Sequence, residues 1–230
     1  MIDKFVLLMV AKAPVPGLAK TRLTPPATPE QAAEIAAAAL LDSLDAVSAT
    51  PGAVPVIAMT GELTNAVRCD ELRSRLRTAF VVEQRGTTFA DRLANAHADA
   101  AAHFPGLPIV QIGMDTPQVT PALLVSTAAA LDDADAVLGP AVDGGWWVLG
   151  LTNPAAARLL RGVPMSTPDT LRDTWAALVD AGLRVGKVAE LSDVDTIADA
   201  LLVAEDIPDS RFAVAVRSVV FAATAGEGRC

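Results

Sequence analysis

The chain is short of several things, and each shortage closes off a class of function. It holds two cysteines and two histidines in 230 residues. Cys69 and Cys230 match no metal or redox spacing and read as free thiols in a reducing compartment. His97 and His103 have neither a partner cysteine nor the HxxxH spacing of a helical metal pair, so histidine ligation is not expected. Cations are scarce as well: 18 Lys and Arg against 27 Asp and Glu leave a formal charge of -9 and an isoelectric point near 4.6. A general nucleic-acid binder needs a basic face, so no nucleic-acid partner is expected. The apolar run behind Asp3 and Lys4 is too short for a membrane span and lacks a signal-peptide cleavage site. A cytoplasmic protein without a transmembrane segment is the expectation. No internal repeat, linker or low-complexity stretch breaks the chain.

What is present is a 52% hydrophobic composition, enough for the core of one large α/β domain. Its organising stretch runs from Pro108 to Leu151. The apolar run Pro108 to Ile112 ends at Gly113 and delivers Asp115, with Pro117 closing off any continuation. Such a run suits a buried parallel strand. A second, Ala134 to Leu138, ends at Gly139-Pro140 and delivers Asp143-Gly144-Gly145, then the apolar arm Trp146 to Leu151. In open α/β sheets, ligands sit beyond the carboxyl ends of the strands. Both aspartates stand there, beside glycines that let a ligand or metal come close to the backbone. The plainer alternative is that both are turn or cap aspartates.

The scarce cations are concentrated. Phe5 to Ala11 reads as the first strand and runs into Lys12-Ala13-Pro14-Val15-Pro16-Gly17-Leu18-Ala19-Lys20-Thr21-Arg22. Pro14, Pro16 and Gly17 forbid helix or strand there, which makes this a shaped loop. Doubly wound folds bind phosphate at that position. Lys12, Lys20 and Arg22 supply point charge and a bidentate fork, the two ways of holding phosphate oxygens. The Walker pattern GxxxxGK[ST] is absent. A solvated basic loop is the alternative.

Elsewhere, Thr28-Pro29 caps an Ala-rich helix to about Ser48. Pro55 to Met59 and Phe80 to Val82 read as strands. Leu63 to Arg77 reads as one polar helix whose arginines 68, 73, 75 and 77 form a solvated face. A helix runs from Ala90 to about Phe104. Arg92, near its start, is placed to reach a ligand or to pair with Asp91 or Asp99. Thr167 is expected to cap a helix from Pro168 to Ala181, and Leu183 to Val188 to form a last strand. Asp195, before the helix Ile197 to Ala204, is either an N-cap or a further site carboxylate. Phe212, Val214, Val216, Val219, Val220 and Phe221 make the tail too apolar for a solvated end. Its spacing fits a helical stripe, or by alternation a strand. We expect a main domain over residues 1–206 and a helical extension over 207–230. That extension is expected to pack on its own domain or, slightly favoured, across a homodimer axis.

Four strings, KAPVPGLAKTRL, GMDTP, GPAVDGGWWVLGL and LSDVDT, occur in this order and spacing. Together they resemble a bacterial group of glycosyltransferase-A-fold proteins, the arsenosugar-type glycosyltransferases or nucleotide-diphospho-sugar transferases. The resemblance covers about Phe5 to Ala204. It implies an α/β, Rossmann-like three-layer sandwich with a mostly parallel sheet, which binds a nucleotide-linked substrate with Mg²⁺ or Mn²⁺. Carried over, Lys12, Lys20 and Arg22 meet phosphates, with Gly17 in their loop. Asp115 is the metal aspartate, Asp195 completes the cation site, and Asp143, Gly144 and Gly145 line the acceptor side. Trp146-Trp147 stands where the group usually has tyrosines, and Met165 where a tryptophan is common. Trp146 or Trp147 is expected to stack on a sugar or ring face. Sugar transfer from a nucleotide-diphosphate donor to a small-molecule acceptor leads, with Asp143 and Asp115 as the catalytic pair. The Lys-Thr-Arg loop also resembles the phosphate loop of guanylyl- and molybdopterin-nucleotidyltransferases, so nucleotidyl transfer from a triphosphate is the alternative. A non-catalytic nucleotide-binding module is the third.

Overall fold

Seven strands set the frame of the computed structural model, which describes residues 2–227, with side chains for residues 2–219. They are β1 (Phe5–Lys12), β2 (Ala53–Thr60), β3 (Phe80–Glu83), β4 (Ile109–Gly113), β5 (Ala136–Pro140), β6 (Trp146–Leu151) and β7 (Val185–Lys187). Their order across the sheet is β3-β2-β1-β4-β6-β5-β7. All pairs are parallel except those of β6, which runs antiparallel to β4 and β5. β1 lies centrally, with both edges paired to β2 and β4, and its residues up to Ala11 are buried on both faces. Its residues divide by the two-residue period of a strand. Phe5, Leu7 and Met9 enter one core, and Val6, Leu8 and Val10 enter the other.

The helices follow from their caps. α1 (Pro29–Ser48) begins at a reciprocal Thr28–Gln31 capping box with proline in the first turn. α2 (Cys69–Leu76), α3 (Phe89–His103), α4 (Pro121–Ala129), α5 (Thr170–Asp180), α6 (Ile197–Asp206) and α7 (Arg211–Glu227) complete the set. α3 and α6 carry Thr88–Asp91 and Thr196–Asp199 boxes. α1, α2 and α4 cover one face of the sheet. α3, α5 and a 3₁₀ segment, Pro154–Gly162, cover the other. This three-layer sandwich is the architecture expected from the sequence.

Helices α6 and α7 add a layer behind α1, where Ile35 and Ala39 meet Val203, Phe212, Val216 and Val219. The alanines of α1 allow this, since small side chains let partners approach on both sides of one helix. Burying Phe212, Val216 and Val219 contributes on the order of 1.5–3 kcal/mol each. Arg211 anchors the start of α7 on Asp42 at 2.8 Å. The described part of the stripe, Phe212, Val216 and Val219, is therefore covered by α1 and α6 of the same chain, and these residues do not argue for a dimer. The side chains of Val220 and Phe221, and Cys230 altogether, lie outside the described residues.

Two local expectations are corrected. Leu63 to Arg77 is not one helix: a 3₁₀ turn, Leu63–Asn65, is separated from α2. Between them the Val67 N–H donates to the Pro14 carbonyl at 3.0 Å, tying this segment to the loop after β1. Arg68 and Arg75 are not a solvated face either, because Arg68 pairs with Glu71 at 2.6 Å and Arg75 with Asp45 at 2.6 Å. Second, α5 starts at Thr170 rather than Pro168, since Thr170 Oγ1 accepts the Thr167 N–H at 3.0 Å and donates to the Pro164 carbonyl at 3.0 Å. No helix among the described residues is long and apolar enough to cross a membrane.

Candidate functional site

The carboxyl ends of β1 and β4, the β5–β6 turn and the segment after β7 surround one cavity of about 630 Å³. A second, of about 250 Å³, adjoins it and shares Arg22, Asp115 and Asp195 with it. Both lie where the loop after β1 meets residues 191–196.

Lys20 stands at the centre of that meeting. It adopts a left-handed conformation, φ 47°, and its side chain is only 11% exposed. Its ammonium lies 2.9 Å from Asp115 Oδ1 and 3.5 Å from Asp195 Oδ1, and it also donates to the Val194 carbonyl. Burial pulls the Lys20 pKa down, but the Asp115 carboxylate, helped by Asp195 and Asp193, outweighs it and holds the group above its ordinary value. Its ammonium is thus committed to Asp115 and the Val194 carbonyl, with the Asp195 charge close by. Arg22 differs, since its side chain is 69% exposed and contacts Asp195 Oδ2 at 2.7 Å through one nitrogen. Lys12 is exposed and donates to the Leu18 carbonyl at 2.7 Å. Gly17 is a turn glycine, φ +75°, with open space where a Cβ would stand.

The acidic side comes from two segments. Carboxylate oxygens of Asp143, Asp193 and Asp195 all lie within 4.8 Å of one another. Asp193 did not emerge from the sequence as a site residue. Burial first, then the carboxylates of Asp143 and Asp195, push it up to about 6. Asp195 does not cap α6, because Thr196 does, so its carboxylate is left for Lys20 and Arg22. Asp143 Oδ1 accepts the Gly145 N–H at 2.7 Å, which fixes the turn.

The glycines of this turn serve the chain itself. Gly144 has φ +90°, and a Cβ there would come 2.1 Å from the Pro168 carbonyl oxygen. Its missing side chain thus admits the loop before α5. Trp147 is 3% exposed, with its indole N–H donating to the Ala189 carbonyl at 2.8 Å. It also lines the cavity, but so little of it is exposed that it serves mainly as a core residue. Trp146 lines the cavity beside Met165. Arg92 lines neither cavity. Its guanidinium lies 5.6 Å from the Phe89 ring centroid, and its Nε is buried without a partner. Asp91 and Asp99, its expected surface partners, pair instead with Arg161 and Arg85. Gln111, Thr116, Phe89 and Thr170 also line the cavity and were not singled out in the sequence.

The profile of a bacterial family described as "Uncharacterized protein conserved in bacteria (DUF2064)" matches residues 43–167. The chain belongs to that family. No curated protein matches it. Among solved structures it is similar to a candidate nucleotide-diphospho-sugar transferase from Desulfovibrio desulfuricans G20, at 24% identity over 95% of each chain with a TM-score of 0.80. It is also similar to 4-diphosphocytidyl-2C-methyl-D-erythritol synthase from Anaerococcus prevotii DSM 20548, at 13% identity over 90% of this chain and 97% of that one, TM-score 0.59. CMP:2-keto-3-deoxy-manno-octonic acid synthetase, solved with CTP, aligns at 12% identity over 88% and 99%, TM-score 0.53. The fold is therefore the Rossmann-like one of the nucleotide-diphospho-sugar transferases.

Proposed function

We propose that the chain is a cation-dependent transferase acting on a nucleotide-linked substrate, and within that class a glycosyltransferase using a nucleotide-diphosphate sugar. The observation that carries this reading is the convergence of Asp143, Asp193 and Asp195 within 4.8 Å on a cavity rimmed by Arg22. An all-carboxylate donor set suits a hard cation such as Mg²⁺ or Mn²⁺, and these three residues would hold it. Once bound, the cation would neutralise a diphosphate leaving group. Arg22, exposed and planar, takes phosphate oxygens, with Lys12 as a second charge. Lys20, buried against Asp115 and the Val194 carbonyl, instead neutralises Asp115, keeping both site loops together. Asp143 keeps Oδ2 for the acceptor side, and Trp146 offers a wall for a sugar face. Nucleotidyl transfer from a triphosphate is the second reading, supported by the fold shared with a cytidylyltransferase from Leptospira borgpetersenii, TM-score 0.54.

Thermal shift with UDP-glucose, GDP-mannose, CTP and GTP, each with Mn²⁺, followed by product analysis with candidate acceptors, tests both. A ligand at about 100 Kd stabilises by about 2.7 kcal/mol, roughly 5–10 °C for a chain of this size. A diphosphate sugar that stabilises most and is consumed upholds the first reading. A triphosphate that does so upholds the second. Binding without turnover would leave a nucleotide-binding module, and no shift with any of them sinks all three.

A further inference from the structure

Besides its charged and hydroxyl-bearing residues, the cavity is lined by the apolar Val10, Phe89, Trp146 and Met165 and by a single carboxamide, Gln111, on β4. Gln111 is 2% exposed and sits on β4 with its side chain on the same face as Gly113, two residues nearer the carboxyl edge. Gly113 also lines the cavity, and a Cβ there would meet nothing closer than 3.8 Å. Its missing side chain leaves the way from the rim to Gln111 open.

A nearly buried carboxamide has to be partnered, because an unmet polar group costs about 1–3 kcal/mol. Among the described residues, Gln111 has one hydrogen-bond partner, with its Oε1 3.0 Å from His97 Nε2. His97 lies on α3, wholly buried, and its Nδ1 has no partner. Burial pushes His97 down to about 4, so the ring is neutral near pH 7 and carries one N–H. On Nδ1 that proton would be a buried donor without an acceptor, the rarer and costlier kind of orphan. On Nε2 it donates to Gln111. The carboxamide is thereby turned, oxygen toward α3 and NH₂ toward the cavity.

We propose that Gln111, with His97 as its positioning residue, is a specificity-determining donor at the cavity floor that selects a neutral, apolar-flanked group ending in a carbonyl, hydroxyl or ether oxygen. With its oxygen held by His97, Gln111 offers the cavity N–H donors and no acceptor, so a group that reaches it has to bring an acceptor oxygen. This deepens the transferase reading by assigning the chemistry of the substrate end farthest from the carboxylates. From that reading it takes only that a small molecule fills the cavity.

Two measurements on the whole protein decide it. Imidazole ¹⁵N shifts should show His97 neutral and protonated on Nε2 between pH 5.5 and 8, whereas a proton on Nδ1 would overturn the assignment. Acetophenone and cumene, alike in size and both uncharged, then serve as small probes, followed by saturation-transfer NMR and tryptophan fluorescence. The parent should bind acetophenone more tightly than cumene, and Gln111→Leu should weaken acetophenone about tenfold while leaving cumene unchanged or tighter. Parallel changes for acetophenone and cumene, or a parent that binds cumene as tightly as acetophenone, would refute the proposal. If Gln111→Leu does not fold, the parent's tautomer and its acetophenone-to-cumene preference still decide. Neither measurement needs a nucleotide, so a failed transferase assay leaves them readable.

Discussion

Asp115 and Asp193 line the same cavity, one from the loop after β4 and one from the segment after β7, and they differ in what faces them. Asp115 has the Lys20 ammonium at 2.9 Å, so its charge is balanced inside the protein. Asp193 has two carboxylates as neighbours, and they and burial push it up to about 6, against a weaker pull from Lys20. One half of the site is thus balanced as folded, while the other holds three carboxylates that Arg22 and Lys20 offset only in part. Displaced carboxylates in a cleft mark functional positions more often than structural ones. The contrast separates residues that hold the loops in place from residues free to bind.

The largest expected effect follows from the balanced half. Lys20→Met removes the cation that both site loops share and strands Asp115 and the Val194 carbonyl. Breaking a fully buried pair costs about 3–5 kcal/mol. Asp115 is 40% exposed, so on the order of 2–4 kcal/mol is expected in urea unfolding, most of it recovered when Asp115→Asn is added. A loss below about 1 kcal/mol would mean that Lys20 is an ordinary solvated cation, and the distinction drawn here would fail.

Next comes cation binding. Asp193→Asn should weaken Mn²⁺ by about a hundredfold or more in calorimetry, roughly 2.7 kcal/mol. Asp115→Asn should change it by less than tenfold, because Lys20 already satisfies that carboxylate. The reverse ranking would restore Asp115 as the metal aspartate that the resemblance implies. Arg22→Ala, at the exposed end of the basic loop, should weaken nucleoside diphosphates ten- to a hundredfold, as expected for loss of a charged hydrogen bond. Nucleosides should be unaffected, and equal losses for both would remove Arg22 from the phosphate contacts.

How much of this was legible depends on the kind of signal each residue leaves. β1, β4 and β5 announce themselves as apolar runs ended by Lys12, Gly113 and Pro140, and so the cavity's position and Asp115 could be read directly. Depth could not. Lys20 looks like Arg22 in the sequence, and only packing against Asp115 and Val194 shows that its ammonium is held inside the protein. Gly144 read as room for a ligand, whereas the space is filled by Pro168 of the same chain, a contact no local pattern encodes. Asp193 did leave a trace: it and Asp195 flank Val194, which is 1% exposed, and in an extended chain alternate residues share a side. Gln111 and His97 sit inside an apolar strand and an Ala-rich helix, where a lone polar residue most often signals nothing until its partner is seen.

The smallest expected effect tests the unbalanced half without any ligand. The Asp193 carboxyl titrates near 3.8 when unfolded and at about 6 when folded. Between those values the folded chain holds the proton more tightly, so the contribution of Asp193 to stability falls as pH rises from 3.8 to 6 and its full cost is present above 6. Asp193→Asn removes that charge. In metal-free buffer the variant should therefore melt higher than the parent at pH 7–8 and no higher at pH 4. Asp193 is only partly buried, so solvent screening reduces the effect, and a gain of about 1–3 °C is expected. Saturating Mn²⁺ should reverse the order at pH 7–8, since the parent gains more binding energy from the cation than the variant does. A variant less stable than the parent at pH 7–8 in metal-free buffer would show that Asp193 is held by favourable contacts, and the contrast with Asp115 would collapse.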